Sequence, residues 1–71
     1  MNLILFEAPF EQLNLSADDP RTRHILLVLK IKLGGFFYVG FMNGLRALAK
    51  IETINQDSSI VIRSIEREAS S

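Results

Sequence analysis

The chain has 71 residues, 48% of them hydrophobic, and its eight basic and eight acidic side chains cancel to a formal net charge of zero. That length builds one small core and excludes a nucleotide-binding α/β domain alongside it; with no cysteine and a single histidine, disulfide frameworks, thiolate or histidine-cluster metal sites and cysteine nucleophiles are excluded too. A balanced charge gives no long-range positive field, so any nucleic-acid contact has to come from local clustering.

From the N-terminus, Asn2 to Ala8 reads as a first strand. The apolar opening Met1-Asn2-Leu3-Ile4-Leu5-Phe6 has no basic lead and stops at Glu7, too soon for a signal peptide or a membrane span. Pro9 interrupts, and Gln12-Leu13-Asn14-Leu15 alternates polar with apolar residues as a short, half-buried strand does. Ser16-Ala17-Asp18-Asp19 has the spacing of a capping box, and Pro20 falls in the first turn, so a helix is predicted to start near residues 17 to 20. From His24 to Leu33 only Lys30 and Lys32 interrupt the apolar residues. At roughly 100° per residue, His24, Leu27, Val28 and Ile31 share one face and Arg23 and Lys30 another. This predicts a helix buried on most sides and ended by Gly34-Gly35, and it makes Val28→Asp an unfolding change.

Phe36-Phe37-Tyr38-Val39-Gly40-Phe41-Met42 is aromatic and β-branched, which predicts a strand packed on both faces. Asn43-Gly44 suits a type I′ turn, leading into a strand from about Arg46 to Ile54. Gln56-Asp57-Ser58-Ser59 makes a second turn, and Ile60-Val61-Ile62 with Ile65 a last strand. Residues 66 to 71 are polar and small, as at the start of a linker. The expected fold is therefore β-rich α+β, a small open or partly closed barrel of about five strands with one buried helix, with residues 1–65 as the domain and 66–71 as linker.

Between Arg21 and Lys32 there is no acidic residue, and Arg21, Arg23, Lys30 and Lys32 all lie in that stretch. They form either a phosphate-contacting patch or a solvated helix face; Arg46 joins them if the Asn43-Gly44 tip lies beside the helix. His24 is either a core residue satisfied by a backbone carbonyl or an RNA-contacting imidazole. Phe36, Tyr38 and Phe41 are either core or a base-stacking platform, and Tyr38, whose hydroxyl favours a wet edge, is the best exception to the core reading. Asp18 and Asp19 sit where a helix N-terminus favours negative charge. No paired carboxylates, nucleophile with base, metal cluster or phosphate-cradling glycine loop can be assembled, so no catalytic or metal-binding residue is assigned and independent catalysis is not expected.

In order along the chain come Arg21, Arg23 and His24, then Val28-Leu29-Lys30, then Gly34, the aromatic strand and Asn43-Gly44. This succession resembles the N-terminal domain of the RsmE-type 16S rRNA N3-methyluridine methyltransferases, over nearly the whole chain from Met1 to about Ile65. Two positions depart from that family's pattern: Lys30 stands where it has arginine, which replaces a planar fork by a point charge, and Gly35 stands where it usually has aspartate. The resemblance implies a PUA-like barrel that binds 16S rRNA or the small ribosomal subunit. In the family a knotted SPOUT domain follows, which binds S-adenosylmethionine and methylates a uridine at its ring nitrogen during ribosome biogenesis in the cytoplasm. That catalytic domain is not expected within these 71 residues, so no cofactor is expected on them either. Homodimers are implied for full-length members, held through the second domain, and not for this piece. On the resemblance the RNA-contacting candidates are Arg21, Arg23, Lys30, Lys32 and Arg46, with His24 and Tyr38 as further contacts or core. Two alternatives stand beside it: a free-standing PUA-like RNA-binding module, and a protein-interaction or dimerisation domain whose apolar strand pairs with a partner.

Overall fold

The computed structural model describes residues 3–68 of the chain; the expected strand start at Asn2 and the last three residues of the expected linker lie outside them. Five strands form one sheet in the order β1-β3-β4-β5-β2, curled into a half-barrel, with one short helical segment between β2 and β3. The strands are β1 (Leu3–Phe6), β2 (Gln12–Leu15), β3 (Phe36–Phe41), β4 (Arg46–Ile54) and β5 (Ile60–Glu68). All pairings are antiparallel except that of β1 with β3, which is parallel, with Ile4 beside Val39 and Phe6 beside Phe41. The parallel pair needs a long crossover, and β2 and the helix supply it. β5 continues through Glu68, three residues past the strand end expected near Ile65.

Alternation builds the core. Ile4 and Phe6 of β1, Phe37, Val39 and Phe41 of β3, Ala47, Ala49 and Ile51 of β4, and Ile60 and Ile62 of β5 all turn to the concave face and are buried. Ile25 of the helix joins the same core and has no exposed surface. Phe10 closes one end, with its ring edge-on to Phe6 and Phe41 at centroid distances of 5.2 and 5.9 Å. On the convex face, Gly40 lets Leu3 and Leu5 lie across β3: a Cβ at this position would sit 2.7 Å from Leu3 Cδ2.

The two hairpins share one design, and it is not the two-residue type I′ turn expected at Asn43-Gly44. At the first, the Gly44 N–H donates to the Phe41 carbonyl, the Phe41 N–H to the Leu45 carbonyl, and only Gly44 takes a positive φ, of 87°. This is a type I turn closed by a left-handed residue. The second repeats it, with Ser58 donating to Asn55, Asn55 to Ser59, and Ser58 in the left-handed role at φ 72°.

The helix departs most from expectation. It begins at Pro20 as predicted, but Asp19 and not Ser16 is the cap: the Asp19 carboxylate accepts from the Arg21 N–H at 2.9 Å. Ser16 instead takes the Asp18 N–H on its hydroxyl and the Thr22 hydroxyl on its carbonyl, which satisfies the buried Thr22. After one α-helical turn, α1 (Pro20–Arg23), the chain widens into a π-helical segment, α2 (His24–Val28), with the Leu29 N–H bonded back to the His24 carbonyl. The segment ends at Lys30, whose φ of 56° turns the Ile31 N–H onto the Ile25 carbonyl, so Lys30 takes the left-handed stop assigned to Gly34-Gly35. Those glycines form the next turn, with the Gly34 N–H and the Gly35 carbonyl both bonded to Ile51 of β4. Widening changes the buried face: Thr22 and Ile25 are buried and Leu26 and Leu29 half-buried, whereas Leu27 and Val28 are each 65% exposed. The expected burial of Val28 is thereby corrected.

Candidate nucleic-acid interface

The cations of the 21–32 stretch fall into two groups. Arg21 is committed within the fold. Its guanidinium makes a two-point bond to the Asp19 carboxylate, at 3.0 Å through Nε and 2.7 Å through the second terminal nitrogen, and stacks over the Phe6 ring at 4.4 Å from the centroid. It also reaches the Leu5 carbonyl on the free edge of β1 at 3.5 Å. The Arg21 hydrogen bond holds the Asp19 carboxyl below its ordinary value against the opposing effect of partial burial, and Arg21 is held above its own. Arg21 therefore joins the helix start to β1 and the Phe6 cluster.

Arg23, Lys30 and Lys32 are exposed, and among the described residues none of them has an ion-pair or hydrogen-bond partner for its side chain. Arg23 follows from the single α turn, which points it away from the buried Thr22. Lys30 is displayed by the left-handed turn and Lys32 by the loop after it. Arg46 lies elsewhere: it opens β4 opposite Gly40, and alternation with the buried Ala47 puts it on the convex face of the sheet, away from the helix. Tyr38 is on that same convex face, exposed, beside Leu3 and opposite Leu48. Phe36 is exposed there too, whereas Phe37 and Phe41 are core. The structure thus leaves Arg23, Lys30 and Lys32 exposed on the helix and the turn after it, turns Arg21 onto Asp19 and Phe6, and carries Arg46 and Tyr38 on the convex face of the sheet.

His24 is half-buried, and its ring makes no hydrogen bond with any described residue. It lines an open groove of about 450 Å³ on the outer side of the helix, with Asp18, Pro20, Arg23, Leu27 and Val28. An α-helical face predicts Leu27 and Val28 in the core; in the π-helical segment both are exposed and line this groove.

On the convex face, Arg63 of β5 binds the Glu52 carboxylate of β4, which also accepts from Gln12 of β2 at 2.7 Å. These hydrogen bonds, first from Arg63 and then from Gln12, lower the Glu52 carboxyl. Their sequence separations of 11 and 40 residues gave no linear signal. This trio staples three neighbouring strands. Among the described residues no three of His, Cys, Asp and Glu converge to hold a metal ion, and no helix is long and apolar enough to cross a membrane. Gly34 has open space where a Cβ would stand, and Gly40 is covered by leucine side chains. Comparison with protein-family models and with curated protein sequences finds no match for the chain.

Proposed function

We propose that this domain docks ribosomal RNA, as the PUA-like substrate-holding part of a cytoplasmic methyltransferase of the RsmE type that acts on 16S rRNA uridine. The observation that carries the reading is the set Arg23, Lys30 and Lys32: three exposed cations on the helix and the turn after it, without acidic partners among the described residues, in a chain that pairs Arg21 and Arg63 with carboxylates. Exposed, uncompensated cations are what contact with a phosphate backbone requires. The ordered succession from Arg21 to Asn43-Gly44 supports the choice of family. In this reading the domain performs no chemistry. S-adenosylmethionine and the methyl transfer belong to a separate methyltransferase domain, and Arg21 orders the helix that presents Arg23.

Replacing Arg23 and Lys30 together by alanine is expected to weaken binding to single-stranded rRNA segments uniformly across sequences, and to flatten the logarithmic salt slope by about 0.7 per cation removed. Unchanged affinity would remove the reading.

A second reading, a protein-interaction domain, rests on the convex face, where Leu5, Phe36 and Tyr38 are exposed next to the unpaired edge of β1. It predicts association that is insensitive to salt.

A further inference from the structure

The groove on the outer side of the helix has a composition that a backbone-docking site does not need. Phosphate contact accounts for Arg23, but a carboxylate beside the path of a phosphate chain repels it. Asp18 is nevertheless there, exposed, and among the described residues its carboxylate has no hydrogen-bond or ion-pair partner. The fold does not require that carboxylate. The cap is Asp19, and Asp18 contributes to local structure only through its main-chain N–H, bonded to the Ser16 hydroxyl at 3.2 Å. Beside it lie Pro20 and two aliphatic side chains, Leu27 and Val28, each 65% exposed, and the His24 ring, which has no hydrogen-bond partner among the described residues.

We infer that this groove receives one unpaired guanine of the bound RNA, with the Asp18 carboxylate on its Watson–Crick edge. The inference rests on the RNA-docking reading and goes beyond it by naming a base. The volume of about 450 Å³ falls in the range of small-ligand clefts, roughly 300 to 1,000 Å³, and the open side leaves the sugar and phosphates in solvent within reach of Arg23. The aliphatic floor and the imidazole supply the apolar and stacking contacts that splayed-out bases use. The carboxylate selects the base. An ionised carboxylate only accepts, and guanine presents two adjacent donors, N1–H and the N2 amino group, that match its two oxygens. Uracil offers one N–H between two carbonyl oxygens, and adenine and cytosine place a ring acceptor beside their amino group, so each sets a lone pair against the carboxylate. Charge complementarity therefore favours guanine at a site where the other bases meet repulsion.

The test is fluorescence anisotropy with the 71-residue protein and short oligouridine carrying one central guanosine, inosine, adenosine or uridine. Inosine keeps the N1–H and lacks the N2 amino group. The guanosine oligonucleotide is expected to bind about tenfold more tightly than the uridine one, with inosine between, and Asp18→Asn to bring the guanosine oligonucleotide to the level of the uridine one. Equal affinity for all four, still falling with salt, overturns the guanine site and leaves phosphate docking standing. No binding at low salt overturns both. Binding indifferent to base and salt alike overturns the guanine site and phosphate docking together.

Discussion

Asp19 and Arg21 show how neighbouring residues of similar appearance take different roles. Asp19 caps the helix and holds Arg21 across the Phe6 ring, whereas Asp18 and Arg23, one and two positions away, stay open to the groove. Part of this was legible: the sequence puts both aspartates at a helix start, where negative charge is favoured, but its capping-box spacing points to Ser16 and not to Asp19 as the cap. The stacking on Phe6 was not legible, since it depends on β1 lying beside the helix start. Asp19→Ala is expected to destabilise the domain by about 1 kcal/mol, measured by urea unfolding. The acid limb follows from the lowered carboxyl. The folded value of Asp19 lies below its unfolded one, so its contribution is complete above the ordinary aspartate value of about 4 and is lost as pH falls toward the folded value. Glu52 and Asp57, also lowered by hydrogen bonds, act in the same direction. Asp19→Asn should therefore shallow the loss of stability below about pH 4; an unchanged acid slope would show that the pair with Arg21 does not matter in solution.

The strands were more legible than the helix. Four strands announce themselves by β-branched or aromatic residues between turn signals and β2 by its polar-apolar alternation, and the five strand runs fall where those signals put them, β5 running on to Glu68. The helical stretch misleads because the period changes within it: a π-helical segment bonds five residues back, so a face drawn at α-helical spacing drifts off the core after His24. Two substitutions separate the two faces. Val28→Asp, on the exposed side, should change stability by no more than about 0.5 kcal/mol, whereas Ile25→Ala, at a site with no exposed surface, should cost about 2 to 5 kcal/mol. Thermal melts in which Val28→Asp is the more damaging would restore the α-helical face. The hairpins permit a finer test. Gly44 holds the left-handed position of the first without strain and Ser58 that of the second with it. Ser58→Gly is expected to stabilise by up to about 1 kcal/mol, and no gain in melting temperature would mean that Ser58 reaches this geometry at no cost.

At the scale of the molecule, a net charge of zero conceals a division of labour. The carboxylates on Arg21 and Arg63 spend those cations on holding the helix start to β1 and three strands to one another. Arg23, Lys30 and Lys32 remain on the helix and its exit turn. The sequence shows the acid-free stretch from Arg21 to Lys32 but not that Asp19, just before it, takes up Arg21, nor that Glu52 of β4 takes up Arg63 of β5. Nor does it show that Arg46 and Tyr38 are carried to the opposite face, since that follows from where β4 and β3 enter the sheet. An account built on three uncommitted cations makes a quantitative statement about salt. Each phosphate neutralised on a single strand releases condensed counterion, with a slope near −0.7 per contact, so the RNA affinity of the 71-residue protein, plotted logarithmically against salt concentration, should fall with a slope of about −2. A flat line would contradict RNA docking through Arg23, Lys30 and Lys32, and would turn attention to the apolar convex face as a protein contact.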